Sequence, residues 1–349
     1  MRCAVMGSGS WGTAYAQVLA DAGHEVVIWS RDPQVAQAIS DRHENPVYHP
    51  GVVLPASIKA TTDAAAALAG AAVVALAVPA QTLRENLTSW APRLDSSALL
   101  VSLIKGIEQG SNERMSEVIC EAAGVPVERV GVVSGPNLAR EIIERQPAAT
   151  TIASPVASVA EEFADASTTA YFRPYWTTDV VGTEIGGSVK NVIALANGMA
   201  VGMDFGENAQ SALITRGLAE MTRLGIALGA SPLTFLGLAG IGDLVATCQS
   251  PLSRNRTFGE HLGRGLSIDE ATRAMTQTCE GVKSCQGILD LAQQHDVEMP
   301  ITEAIVQVVH HGLSPAECLS RFMSRATKPE AELDVDVVSV SDETSRQGL

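Results

Sequence analysis

Basic residues are scarce in this 349-residue chain: 24 Lys and Arg stand against 39 Asp and Glu, a formal charge of −15. That deficit argues against a nucleic-acid binder, which needs a basic face to displace counterions from phosphates, and equally against docking on an anionic membrane surface. No stretch is apolar for the roughly 20 residues that a membrane span requires. The longest, 64–78, is mostly alanine, lies between Asp63 and Pro79, and reads as a short helix feeding a buried strand. At the N-terminus, Arg2 precedes only Cys-Ala-Val-Met-Gly, too short for an apolar targeting region. The six cysteines (Cys3, Cys120, Cys248, Cys279, Cys285 and Cys318) include no CxxC pair and no ladder of close spacings. Reduced thiols in a cytoplasmic protein are therefore expected, rather than a disulfide or metal framework. The histidines show no metal-ligand spacing, and no internal repeat is evident.

Apolar material is not lacking. A hydrophobic share of 46% offsets the entropy of ordering the chain, and the length favours two domains over one. Up to residue 178, short β-rich runs alternate with helical patterns. Strands are expected at 2–6, 25–29, 73–78, 98–104 and 129–134, with weaker ones at 150–153 and 171–175. Most are continuous apolar runs without polar alternation, as parallel strands covered on both faces require. Such a βαβαβ series implies a doubly wound sheet with right-handed crossovers. From residue 179 to 329 the β-branched runs disappear and helical stretches dominate (188–200, 209–228 and 281–294), with Gly-rich joints at 186–187, 225–229 and 237–242. This reads as an all-α second domain. The last 20 residues, 330–349, hold six acids and no aromatic residue and are expected to form a disordered tail.

Gly7-Ser8-Gly9-Ser10-Trp11-Gly12 follows the first strand and opens the first helix. In a dinucleotide-binding turn Gly7 allows the tight bend, Gly9 lets the backbone approach a pyrophosphate, and Gly12 permits close helix–strand packing. The helix N-terminus presents unpaired N–H groups to the phosphates. After the second strand come Ser30, Arg31 and Asp32. A hydroxyl beside a guanidinium suits the 2′-phosphate of NADPH, whereas Asp32 could serve the ribose of NADH or cap the helix opening at Pro33. The reading favours NADPH over NADH.

Five further segments put polar groups where a core would not want them. Lys105 stands after the fourth expected strand and Ser134-Gly135-Pro136-Asn137 after the fifth, at the carboxyl edge where open α/β sheets bind ligands. Lys190 lies in the otherwise apolar run that Gly186-Gly187 is expected to open, with Asn191 beside it and Asn197 on its face. A lysine there is costly unless paired or functional. Asp243 and Thr247 share a face at i, i+4 spacing. Ser253 can cap a helix whose N-terminus, with Arg254 and the Asn255 amide, would grip a phosphate.

Six ordered motifs carry a resemblance: GSGSWGTA (7–14), LIKGIE (103–108), SGPNLARE (134–141), EIGGSVKNVIALANGMAVG (184–202), LAGIGDLVATC (238–248) and SRNRTFGEHLGRG (253–265). Together they make residues 2–326 resemble the bacterial NAD(P)-dependent sn-glycerol-3-phosphate dehydrogenases. The resemblance implies a Rossmann-type N-terminal domain, an all-α second domain, and reversible reduction of dihydroxyacetone phosphate to sn-glycerol 3-phosphate for glycerophospholipid synthesis. It makes Lys190 the general acid/base. Cofactor contacts then fall at Ser10, Trp11, Arg31, Tyr48, Lys105, Ala139, Arg254 and Glu280, and substrate contacts at Lys105, Gly135, Asn137, Lys190, Asp243, Ser253, Arg254 and Asn255. Asn191 and Thr247 are expected to orient these groups. The chain departs from the pattern at Asn137, where Ser or Thr is usual, at Thr278, where an aliphatic residue is common, and in the tail. A homodimer is expected from apolar helix faces.

Two other readings are weaker. A hydroxyacid or sugar-acid dehydrogenase would need groups for a carboxylate, and a dinucleotide-sensing regulator would have no use for Lys190 with Asp243 and Arg254. Nucleotide-sugar chemistry would require a cysteine nucleophile, and Cys248, the one candidate, reads as packing. The tail contributes −5 of the net charge, leaving −10 on residues 1–329. Small anions must then be held by local positive groups (Lys105, Lys190, Arg254 and the helix termini at Gly9 and Ser253), because salt screens the global field beyond about 8 Å.

Overall fold

A computed structural model describes residues 1–275 and 279–318; Thr278 and the acidic tail lie outside these residues. Among the described residues, eight strands form one sheet: β1 (Arg2–Met6), β2 (Glu25–Trp29), β3 (Ile58–Thr61), β4 (Val73–Leu76), β5 (Leu99–Ser102), β6 (Val130–Ser134), β7 (Ala148–Ala153) and β8 (Phe172–Thr177). Their order is β3-β2-β1-β4-β5-β6-β7-β8. The first six run parallel, with β1 between β2 and β4. The sheet is thus wound outward in both directions from β1 and β4, which opens a crevice at their carboxyl ends.

Two details differ from expectation. β3 is an additional edge strand, and its sequence Ile-Lys-Ala-Thr gives little signal because only Ile58 is fully buried. β7 runs antiparallel to β6, since the connection across the short Ala139–Ile143 helix returns the chain beside β6 instead of crossing over.

After β8 the described chain is helical. The helix Val180–Gly202 forms the axis of this part, with 18 of its 23 residues buried, and the helices Glu207–Ala227, Asp243–Gln249, Arg254–Gly263, Glu280–Gln294 and Pro300–His311 pack around it. Each of its core aliphatics, such as Ile193 and Leu195, contributes about 1.5–3 kcal/mol by burial. This helix starts at Val180, capped by the Asp179 carboxylate accepting from the Gly182 N–H at 2.9 Å. Gly186 and Gly187 therefore do not open it. They lie inside it, where a side chain on Gly186 would strike the Ala239 carbonyl and one on Gly187 the Ser134 hydroxyl. Gly225 is likewise a helical position against the Phe235 ring. These glycines are close-packing points, not joints.

The stretch Pro232–Gln249 is long and apolar enough to cross a membrane by composition. It is not one helix. It breaks at Gly240, whose backbone (φ −100°, ψ −107°) is non-helical, and it carries the buried Asp243. All six cysteines are free thiols.

Candidate active site

Three turns into the Val180–Gly202 helix, the Lys190 side chain is 6% exposed. Its ammonium donates to Asp243 Oδ1 at 2.6 Å and to Thr247 Oγ1 at 2.7 Å. The Thr247 hydroxyl in turn donates to Asp243 Oδ1 at 3.2 Å, as i, i+4 neighbours on one helical turn can. Lys105, just past β5, reaches the same carboxylate from the sheet, donating to Asp243 Oδ2 at 2.6 Å and to the Gly135 carbonyl at 2.9 Å. Asp243 is thus clamped between two lysines, one from each part of the chain. An ammonium carries three N–H donors, so each lysine keeps one beyond these bonds.

Burial pushes the Lys190 ammonium down to about 8, against the attraction of Asp243 and with help from the charge on Lys105. Burial alone would raise the Asp243 carboxyl; the two lysines outweigh it and hold the group below the ordinary carboxylate range. A lysine near pH 8 can both donate and accept a proton at physiological pH. Burial also pushes the Cys248 thiol up to about 12, which keeps it protonated and removes it as a nucleophile.

A second layer ties these groups together. Asn191 donates to the Lys105 carbonyl at 3.2 Å and to the Gly187 carbonyl at 3.3 Å. Its own carbonyl accepts from the Asn255 amide at 3.0 Å, and the Asn255 carbonyl accepts from the Gly281 N–H at 3.0 Å. The Asn255 carboxamide is therefore largely engaged with helix neighbours and keeps one N–H beyond them. Ser253 caps the Arg254–Gly263 helix, accepting from the Arg256 N–H at 3.3 Å, and Arg254 stands exposed in its first turn. A capped helix terminus with an arginine at its first position has the donors and the charge that an anion can meet. Asn197 shares the long helix but does not reach Lys190: it donates to the Cys248 carbonyl at 2.9 Å.

The Gly7–Gly12 turn has the tight bend and the close packing expected at its first and last glycines. Gly7 has φ +131°, and a Cβ there would lie 2.5 Å from the Ala77 carbonyl oxygen; only glycine fits. A Cβ on Gly12 would strike the Gly7 carbonyl. Gly9, the N-cap of the helix Ser10–Asp21, is different: its backbone is ordinary and a Cβ would meet nothing within 4 Å. The protein itself does not need a glycine there, which leaves the expected approach of a pyrophosphate to the backbone as the reason for one. Gly9→Val is accordingly expected to leave thermal unfolding within about 1 °C of wild type while weakening dinucleotide binding more than about tenfold, and Gly12→Val to lower the melting temperature by several degrees. Differential scanning fluorimetry and a fluorescence titration with NADPH separate the two.

The other residues expected to contact the cofactor lie on several loops and helix starts. Arg31 is exposed at the end of β2. Ser30 corrects the expectation of a phosphate-binding hydroxyl: it is fully buried, accepts from Ser8 Oγ at 2.7 Å and donates to the Asp32 carbonyl at 3.0 Å. Asp32 caps the helix Pro33–Arg42, accepting from the Gln34 N–H at 2.8 Å. Trp11 stacks at a tilt on Tyr15 and Phe172, with ring centroids 5.6 and 6.4 Å away. Ala139 opens the helix after the Gly135 turn, and Tyr48 is half-buried in the loop after the Pro33–Arg42 helix. Glu280 opens the helix Glu280–Gln294 and stands against Gly106. Burial raises its carboxyl, and its Oε2 is buried without a partner among the described residues. An orphaned acceptor beside the Lys105 loop fits a ligand that brings its own donor, such as a carboxamide.

Sequence reasoning missed the residues that brace this turn. Asn45 donates to the Ser8 carbonyl at 2.9 Å and to Thr13 Oγ1 at 2.8 Å, and His49 Nε2 lies 2.8 Å from the Ser10 carbonyl. Ser284, one turn past Glu280 on the same helix face, accepts from the Ile107 N–H at 3.3 Å. Its i, i+4 spacing from Glu280 was the available signal.

The family models for the NAD-dependent glycerol-3-phosphate dehydrogenase N-terminus and C-terminus match residues 2–160 and 179–320. Among curated relatives, proteins named glycerol-3-phosphate dehydrogenase [NAD(P)+] from Streptomyces griseus and Thermobifida fusca are each 59% identical over 330 residues. These alignments cover 95% and 94% of this chain and 98% of each relative. Among solved structures, glycerol-3-phosphate dehydrogenase from Coxiella burnetii superposes with a TM-score of 0.88 at 36% identity, covering 93% of this chain and 99% of that one.

Proposed function

The chain belongs to the NAD-dependent glycerol-3-phosphate dehydrogenase family, and on that premise we propose that it reduces dihydroxyacetone phosphate to sn-glycerol 3-phosphate, for glycerophospholipid synthesis, with Lys190 as the proton donor. One observation carries this reading: a buried lysine, lowered to about 8, is held by Asp243 and Thr247 at 2.6 and 2.7 Å beside a second lysine. A nicotinamide cofactor, when bound, would supply the hydride for the carbonyl carbon. Lys190 answers the negative charge that builds on the carbonyl oxygen by donating the one N–H it does not spend on Asp243 and Thr247, and it passes the proton across. The free N–H of Lys105 stabilises the same charge. Asp243 keeps both ammonium groups aimed at one point and prevents their mutual repulsion from separating them. Arg254, the helix terminus at Ser253 and the spare N–H of Asn255 hold the phosphate, whose binding restrains the three-carbon chain for reaction. Asn191 fixes the Lys105 backbone and the Asn255 amide in register, while Gly135 and Asn137 border the other side of the substrate.

On the cofactor side, Gly7, Gly9 and Gly12 with Ser10 would hold the pyrophosphate, Trp11, Tyr48 and Ala139 would flank the dinucleotide, and Lys105, Arg254 and Glu280 would meet its nicotinamide end. NADPH is the preferred form over NADH. Support comes from Asp32, which spends its carboxylate capping a helix, and from Arg31, which pairs with no described residue and can take a 2′-phosphate. Initial rates test this. Arg31→Ala is expected to raise the KM for NADPH about tenfold or more and to leave that for NADH within about twofold; equal losses with both would overturn the assignment.

The same reading divides the chain into a dinucleotide-binding domain, 1–178, a catalytic helical domain, 179–329, and an acidic tail, and places the enzyme in the cytoplasm, in keeping with six free thiols. It includes a homodimer, supported by Leu233 and Leu236, both large, apolar and exposed on the helical domain.

A further inference from the structure

Asn137 stands on the loop whose Gly135 carbonyl accepts from Lys105. Its carboxamide presents one donating and one accepting end, and the neighbouring strand decides which end points where. Thr150, fully buried in β7, donates its only hydroxyl hydrogen to the Ser134 carbonyl at 3.0 Å. With that hydrogen spent, Thr150 Oγ1 can only accept, so the Asn137 atom facing it at 2.9 Å must be the NH2 group. The other end, Oδ1, is then an acceptor by necessity. It is buried and has no partner among the described residues. A buried acceptor left unpaired costs free energy, and a ligand that supplies a donor recovers it.

The geometry points to Thr150 as a positioning residue that makes the site selective for a triose bearing a free hydroxyl, by locking Asn137 with its carbonyl oxygen as the acceptor for that hydroxyl. This rests on the triose-phosphate reading above and extends it from the phosphate and carbonyl to the third substituent. It also accounts for the carboxamide at position 137. A shorter Ser or Thr hydroxyl can rotate to donate or accept, whereas the amide needs a partner behind it to fix its sense, and Thr150 is that partner.

The test compares dihydroxyacetone phosphate with acetol phosphate, in which a methyl group replaces the hydroxymethyl group. Wild type is expected to favour the former at least about tenfold in kcat/KM, because a site built around a substrate hydroxyl rejects the analogue lacking it. Thr150→Val should cut that preference below about threefold, with the change in KM, and Thr150→Ser should restore it. Retention of the full preference in Thr150→Val, or failure of the serine variant to restore it, overturns the proposal. Asn137→Ala carries the same test from the other partner if the valine variant does not fold, and an undiminished preference there also overturns it. Calorimetric titration of sn-glycerol 3-phosphate against propane-1,2-diol 1-phosphate reads the preference without turnover. A binding preference that depends on Thr150 in a protein that does not oxidise NADPH with dihydroxyacetone phosphate would sustain this inference and defeat the proposed reaction; no binding preference in wild type would defeat the inference.

Discussion

Replacing Lys190 with alanine is expected to lower kcat for dihydroxyacetone phosphate reduction by about 10³, within the range that a positioned general acid supplies. Dinucleotide affinity should stay within about threefold of wild type, because the hydrogen bonds of Lys190 go to Asp243 and Thr247 and not to the Gly7–Gly12 turn. The fold should persist, since Asp243 retains Lys105 at 2.6 Å as counter-ion. The pH dependence has a definite sign. Reduction needs the protonated ammonium, so kcat should fall as pH rises through about 8, the value to which burial lowers Lys190. Oxidation of glycerol 3-phosphate needs the neutral amine and should rise through the same point. Retention of more than about a tenth of wild-type kcat in Lys190→Ala, equivalent to a barrier change of roughly 1.4 kcal/mol, would remove Lys190 from the acid/base role.

The second large effect is expected at Asp243. Asp243→Asn preserves shape but leaves the buried Lys190 ammonium and the partly buried Lys105 ammonium facing each other without the carboxylate between them. Breaking a buried pair in this way costs about 3–5 kcal/mol when the remaining charge stays ionised. Lys190 can relieve that cost by losing its proton, because the attraction of Asp243 is what holds its proton affinity up. The reduction profile should therefore move down by at least about one pH unit, and kcat at pH 8 should fall by about fivefold or more as the protonated fraction drops. In the oxidation direction the loss should be smaller, because the neutral amine is then the favoured form. A profile that keeps its wild-type midpoint in Asp243→Asn would show that Asp243 does not tune Lys190.

Much of this site is legible from the chain alone, for identifiable reasons. Gly7 and Gly12 are demanded by backbone sterics within one local turn, so their spacing after an apolar run carries the geometry with it. Lys190 stands out because an ammonium in a run such as Val-Ile-Ala-Leu-Ala needs a justification, and Asp243 with Thr247 declares a shared face by spacing. Five of the first six strands, all but β3, follow from continuous apolar runs. What escaped detection depends on partners far away in sequence. Ser30 looks like a phosphate ligand until Ser8, 22 residues before it, is seen to take its hydroxyl. Gly186 and Gly187 look like a helix start because the groups they make room for, Ala239 and Ser134, are about 50 residues away on either side. Asn45 and His49 sit in an unpatterned loop and acquire meaning only by bracing the Ser8 and Ser10 carbonyls. β3 is a four-residue edge strand with one fully buried side chain, too weak a pattern to read. The reversal at β7 is set by the short Ala139–Ile143 connection and not by anything in the strand itself.

The most direct measurement is the initial rate of NADPH oxidation by the purified full chain with dihydroxyacetone phosphate, with the product identified stereochemically. Stoichiometric formation of sn-glycerol 3-phosphate, lost in Lys190→Ala, is the outcome expected of the proposed reaction. No NADPH oxidation with this substrate, or equal rates with a 2-oxo acid of the same size, would contradict it.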